Sequence, residues 1–156
     1  MTLDARPTRR SALLIIAAAS LPSSATAADR PLVTVHKDPS CGCCSGWAEH
    51  LRKAEFPVKT IDTAGLSAVK ERLGVPRELY ACHTAEVAGY AIEGHVPAVA
   101  LIRLLAEKPD AIGLAVPGMP IGSPGMEGGE PETYDVILFG KSGQRVYMRC
   151  KEDREV

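Results

Sequence analysis

The first apolar run beyond the N-terminal thirty residues is Leu32-Val33-Thr34-Val35. Its β-branched content predicts a buried strand from Leu32 to His36, broken at Asp38-Pro39-Ser40. From Ser45 the hydrophobic period lengthens to that of a helix. Trp47, Ala48, Leu51 and Ala54 share one face, Glu49, Arg52, Lys53 and Glu55 turn away, and Phe56-Pro57 ends the pattern. Val58 to Ile61 takes the place of a second strand. Leu66, Val69 and Leu73 mark a short helix that stops at Gly74-Val75-Pro76. A turn follows around Pro76 to Tyr80, then Cys82-His83-Thr84, then a short strand near Val87 to Ile92 bounded by Gly89 and Gly94. Pro97 suits the first position of a helix carrying Ala98, Leu101, Ile102 and Leu105 on one face, ended by Lys108-Pro109. Ala111 to Val116 is a further strand. Tyr134 to Phe139, a turn at residues 140–143, and Arg145 to Met148 read as a hairpin.

Residues 113–131 hold six Gly and four Pro, so no regular element extends far into them; they carry Met119 and Met126. A long ordered loop inside a small domain is more often functional than incidental. Strand, Cys-rich turn, helix, strand, helix and a late hairpin is the order of an α/β, thioredoxin-like fold. Its parts are a central mixed sheet, flanking helices and a terminal β-hairpin. The helix that should follow the hairpin is missing, because Lys151 to Val156 is too short and too charged to form one.

Charge changes the picture at the N-terminus. Arg6, Arg9 and Arg10 precede a nearly uncharged run from Ser11 to Leu21, and Ala25-Thr26-Ala27 follows as a small-x-small cleavage site. Residues 1–27 therefore read as a secretory signal peptide, too short for a retained transmembrane helix, leaving one domain over residues 28–156. The Arg9-Arg10 pair also fits a twin-arginine signal, and the choice of export route stays open. Cleavage removes three arginines and one aspartate, moving the net charge from −1 to about −3. Such a chain has no basic field for nucleic acid and no basic face for a membrane surface.

All five cysteines (41, 43, 44, 82 and 150) lie in the exported part, and an odd number of thiols in an oxidising compartment leaves at least one outside any internal disulfide. Three of them fall within Cys41-Gly42-Cys43-Cys44, in a turn between strand and helix, where the positive end of the helix dipole favours thiolate. Three readings of this cluster remain. It is a structural disulfide with a spare thiol, a dithiol redox centre on the C-x-x-C pair Cys41 and Cys44, or a soft-metal site. Soft sulfur donors select Cu(I), and one C-x-C-C without a second paired motif is a weak zinc signal. Cys82-His83 gains meaning only if the fold carries it to residues 41–44. His95 is either a ligand or a helix-start contact, and Met119 and Met126 are either thioether ligands or loop anchors. His50 is expected to face solvent, His36 to end a strand, and Cys150 to be a buried thiol without chemistry. The acids are expected on solvent faces. No phosphate loop, nucleophile elbow, zincin or EF-hand pattern is present.

Taken together, Cys41-Gly42-Cys43-Cys44 with Trp47, Cys82-His83-Thr84-Ala85, Glu93-Gly94-His95-Val96-Pro97, Pro117-Gly118-Met119-Pro120 and Gly122-Ser123-Pro124-Gly125-Met126 resemble the CopG-type copper-resistance proteins. The resemblance runs from about Leu32 to Phe139. It implies a thioredoxin-like fold, a periplasmic location, and copper, one ion or several, held by cysteine sulfur with Met and His help. It implies Cys41, Cys43, Cys44, Cys82, Met119 and Met126 as ligands, with His83 and His95 behind them, and other periplasmic copper-handling proteins as partners. Whether such proteins sequester copper or pass electrons to it, and so whether this one is an enzyme, is left open.

Overall fold

The computed structural model describes residues 30–156; the expected signal peptide at 1–27 lies outside the described residues. One eight-stranded sheet runs through the molecule in the order β2-β1-β3-β4-β5-β6-β7-β8. Its first half comprises β1 (Val33–Lys37), α1 (Gly42–Lys53), β2 (Val58–Asp62), α2 (Leu66–Arg72), β3 (His83–Val87), β4 (Tyr90–Gly94) and α3 (Ala98–Glu107). β1 and β2 are parallel, β3 is antiparallel to β1, and β4 is antiparallel to β3. That is a complete thioredoxin-like core. β5 (Gly113–Val116) joins β4 in parallel, and β6 (Thr133–Gly140), β7 (Gly143–Lys151) and the two-residue β8 (Arg154–Glu155) extend the sheet.

This arrangement corrects one step of the sequence reading. The hairpin belonging to the core is β3–β4, which the sequence offers only as one short strand near Val87 to Ile92. It turns at Ala88 and Gly89, both with positive φ (47° and 87°), the conformation that matches the twist of a tight hairpin. The helix expected after that hairpin is therefore present as α3. The terminal hairpin is an addition to the core rather than part of it.

Alternation along the strands sends side chains to both faces of the sheet. Val33, Val35, Ile92, Leu114, Val136 and Met148 pack with Trp47 and Leu51 of α1 and Leu101 and Leu104 of α3. Their strand neighbours Ala91, Ala115 and Phe139 pack on the other face with Val75, Leu79 and Leu73. Parity is broken at a bulge in β7: Val146 is exposed while Tyr147 and Met148 are both buried. Cys150 is fully buried, as expected.

Trp47 is the pin between α1 and the segment before α3. It is fully buried, and its indole N–H donates to the Val96 carbonyl at 2.8 Å. Trp47→Phe should cost about 1–3 kcal/mol, since it leaves that buried carbonyl without a donor. Urea denaturation checks this, and a midpoint equal to wild type would show that the bond contributes nothing. His50, expected in solvent, is half-buried instead. Its Nε2 accepts the Ala98 N–H at 3.0 Å, satisfying one of the free amides at the start of α3. Among the described residues, no helix is long and apolar enough to cross a membrane.

Candidate metal centre

α1 begins three residues earlier than the hydrophobic period indicates. Cys41 is its N-cap and Cys43 and Cys44 lie in its first turn. The entry is set by Asp38, whose carboxylate accepts the Ser40 N–H at 2.8 Å and whose carbonyl accepts the Cys41 N–H at 3.0 Å. With no side chain capping the helix, its first amides and the positive dipole end are directed at the thiols.

Cys41 and Cys44 are joined in a disulfide, and Cys43 is free. The Cys43 sulfur lies 3.5 Å from that of Cys41 and 3.9 Å from that of Cys82, which stands just ahead of β3. β3 is brought there by its register with β1, where Lys37 lies opposite His83. Cys82 in turn meets two imidazoles, with its sulfur 3.3 Å from His83 Nδ1 and 3.1 Å from His95 Nε2. The result is two overlapping donor groups, Cys41, Cys43, Cys44 and Cys82, and Cys82, His83 and His95. Within each group every donor atom lies within 4.8 Å of the others. Such a Cys/His cluster is geometrically able to coordinate a metal ion, with Cys82 common to both halves.

The imidazoles are held in the form a metal needs. His95 Nδ1–H donates to the Pro124 carbonyl at 2.7 Å, so the proton sits on Nδ1 and the Nε2 lone pair faces Cys82. His83 is wedged between Trp47, with ring centroids 4.4 Å apart, and His95, at 5.3 Å. Its Nε2 is buried without a hydrogen-bond partner. Burial lowers the pKa of His95, and lowers that of His83 well below the usual imidazole range, so both rings are neutral. Cys82, which stands ahead of β3 and not in the first turn of α1, is held as the thiol. Burial, followed by the neighbouring Cys43 sulfur, pushes its thiol up to about 12, so a metal must displace that proton.

These shifts predict how stability depends on pH in the metal-free protein. His50, His83 and His95 all have lowered values in the folded chain, with burial the first cause in each. Below about pH 6.5 the unfolded chain takes up protons that the folded one refuses, so stability falls as the pH drops. Glu93, raised by burial, opposes this, but it is one carboxyl against three imidazoles. The melting temperature should be lower at pH 5.5 than at pH 7.5. A melting temperature that held steady or rose on acidification would contradict the neutral assignment.

The Gly/Pro loop closes over the centre. Ser123 and Pro124 are buried, and the chain from Pro120 to Met126 is tied by its own backbone bonds. Gly125 lies against the backbone of Cys43 and Trp47. Met126 follows this contact, whereas Met119 is 52% exposed on the same loop. The structure thus brings together all six predicted Cys and His ligands, and places the two methionines on the covering loop.

Two charged residues beside the centre escape the sequence reading. Lys70 and Glu93 form a buried ion pair at 2.5 Å with side-chain exposures of 4% and 0%, against the expectation that the acids lie on solvent faces. Lys70 leaves a trace in the sequence: it takes the i+4 position of the stripe Leu66, Val69, Leu73, where an apolar residue belongs.

Residues 79–126, which include Cys82, His83, His95 and both loop methionines but not the Cys41 cluster, match the model of a family described as a protein of unknown function, DUF411. No curated protein gives a significant match. Among solved structures, two forms of a copper resistance protein CopG are similar to the chain, each 44% identical over 78% of this chain and 98% of theirs. Their TM-scores are 0.74 and 0.73. At 44% identity over nearly the whole length of both structures, the chain belongs to the CopG family of copper-resistance proteins.

Proposed function

We propose that the protein binds copper as cargo outside the cytoplasm and serves copper tolerance, holding Cu(I) through Cys41, Cys43, Cys44 and Cys82 once the disulfide is reduced. The observation that carries this reading is the pair of donor groups, one of four sulfurs and one of a sulfur with two imidazole nitrogens, that share Cys82. Thiolates are soft donors suited to Cu(I), and imidazoles suit copper in either oxidation state. His83 and His95 complete the nitrogen side, and Met119 and Met126 supply thioethers from the loop. Because Cys82 is shared by both groups, more than one ion fits the reading, and Cu(I)/Cu(II) interconversion between a sulfur-rich and a nitrogen-containing half is its natural extension. Residues 1–27 act as the export signal, 28–156 as a single periplasmic domain, and other periplasmic copper-handling proteins as partners.

The test is an anaerobic Cu(I) titration of the reduced protein against a chromogenic chelator, followed by native mass spectrometry. Withholding of one or more ions is expected. A protein that leaves all copper with the chelator does not have this function.

A second reading is thiol-disulfide exchange, favoured specifically by the Cys41–Cys44 disulfide at the start of α1. It requires turnover of a general disulfide substrate by metal-free protein, unaffected by loss of Met119 and Met126. No turnover removes it.

A further inference from the structure

Beneath the metal centre lies a buried polar cluster of Lys70, Thr84 and Glu93. Glu93 accepts three hydrogen bonds: from Lys70 Nζ at 2.5 Å, from the Ala81 N–H at 2.6 Å and, on its other oxygen, from Thr84 Oγ1 at 2.6 Å. Lys70 Nζ also donates to Thr84 Oγ1 at 2.7 Å and sits 5.3 Å from the centre of the Tyr80 ring. Lys70, Thr84 and Glu93 are all buried.

A buried ion pair is a poor way to gain stability, since desolvation offsets most of the attraction and apolar side chains of similar volume often serve as well. Its placement offers a better account. Thr84 and Glu93 face each other across the β3–β4 hairpin. Ala81 leads directly into Cys82, His83 precedes Thr84, and His95 lies two residues beyond Glu93. One carboxylate therefore grips both chain segments that deliver the Cys82, His83 and His95 donors. Because side chains alternate along a strand, Thr84 points away from the face on which His83 meets Trp47. The network holds the open end of the hairpin from the side opposite the donors, with α2 supplying the ammonium.

We propose that Lys70, Thr84 and Glu93 are positioning residues for the Cys82, His83 and His95 half of the metal centre. The proposal rests on the metal-binding reading above. It assigns to the network the spacing between the Cys82 sulfur and the two imidazole nitrogens, a job usually done around metal sites by groups hydrogen-bonded to the ligands themselves. Here the support acts through the backbone.

Thr84→Val tests this best, because it keeps the side-chain shape and removes only the hydroxyl; Glu93→Gln is the stronger perturbation, and Thr84→Ser restores the hydroxyl. Three measurements are made on each variant: Cu(I) affinity by chelator competition, the nitrogen NMR signals of His83 and His95 in metal-free protein, and urea unfolding. Thr84→Val should weaken Cu(I) binding about 10–100-fold and shift both imidazole signals, with Thr84→Ser returning both to wild type. If Thr84→Val binds Cu(I) within twofold of wild type and leaves the imidazole signals unmoved, the network is merely structural and the proposal falls, whatever happens to unfolding. Should Glu93→Gln fail to fold, Thr84→Val decides alone. Wild-type protein that withholds no Cu(I) would instead defeat the copper reading, and the metal-free imidazole signals would still test the positioning.

Discussion

Cys82→Ser should lower Cu(I) affinity by more than about a hundredfold, a larger loss than Cys43→Ser, His83→Ala or His95→Ala produces singly. The reason is its position. Cys43 serves only the four-sulfur group and each imidazole only the Cys82-His83-His95 group, whereas Cys82 stands in both, 3.9 Å from the Cys43 sulfur and 3.1 Å from His95 Nε2. Removing it breaks both donor sets at once, and a lost ligand should cost more than the 10–100-fold typical of a lost supporting group. Serine keeps the volume and offers a hard oxygen in place of a soft sulfur, so the change isolates donor chemistry. Removing Cys41, Cys43 and Cys44 together by Ser should also abolish tight binding, but at the cost of three residues. Competition titration of the single variants gives the ranking. If Cys82→Ser retained the wild-type copper stoichiometry and affinity, Cys82 would not be a ligand and the two groups would not be joined through it.

That ranking is not legible in the sequence. Cys41, Cys43 and Cys44 announce themselves because packing alone seldom places three thiols within four residues, and the helix leaving them is plain in Trp47, Ala48 and Leu51. Cys82 and His83 do not, because their importance is topological. β3 reaches the start of α1 through antiparallel pairing with β1, a contact between residues some fifty positions apart that no local pattern encodes. The hairpin that delivers them is hidden as well. Its turn at Ala88-Gly89 carries only one residue of the usual turn vocabulary, so β3 and β4 merge into one weak strand signal. With the core hairpin hidden, the terminal hairpin stands in its place and the helix that should follow has no counterpart in the pattern.

Lys70 and Glu93 show a different limit. Composition places charged residues on surfaces, and nearly always correctly. A buried pair is two exceptions that excuse each other, so neither residue by itself names its partner. The interruption of the α2 stripe by Lys70 is a signal that something has to meet it. His50 is a milder case of the same kind: a surface residue by its helix position, it is recruited to satisfy the amide that α3 leaves open.

The loop's contribution can be separated from that of the ligands through Gly125. Its φ of +89° lies where other residues rarely go, and a Cβ there would overlap the Cys43 carbonyl and lie 2.8 Å from the Trp47 nitrogen. Both obstacles are backbone atoms of the first turns of α1 and cannot move aside. Gly125→Ala should therefore cost roughly 2–4 kcal/mol, combining left-handed strain with overpacking. The chain has one way to relieve the overlap, which is to lift the loop from the helix. That withdraws the Pro124 carbonyl from His95, frees the ring to turn or change tautomer, and should weaken Cu(I) binding about tenfold although no ligand has been altered. Gly118→Ala is the control. Its φ is also positive, at +74°, but a Cβ there meets nothing within 4 Å, so it should show about 1–2 kcal/mol of strain and unchanged copper affinity. Urea unfolding and chelator competition on the two variants distinguish the effects. If Gly125→Ala behaves like Gly118→Ala in both, the loop does not bear on the helix, and His95 is oriented by something other than Pro124.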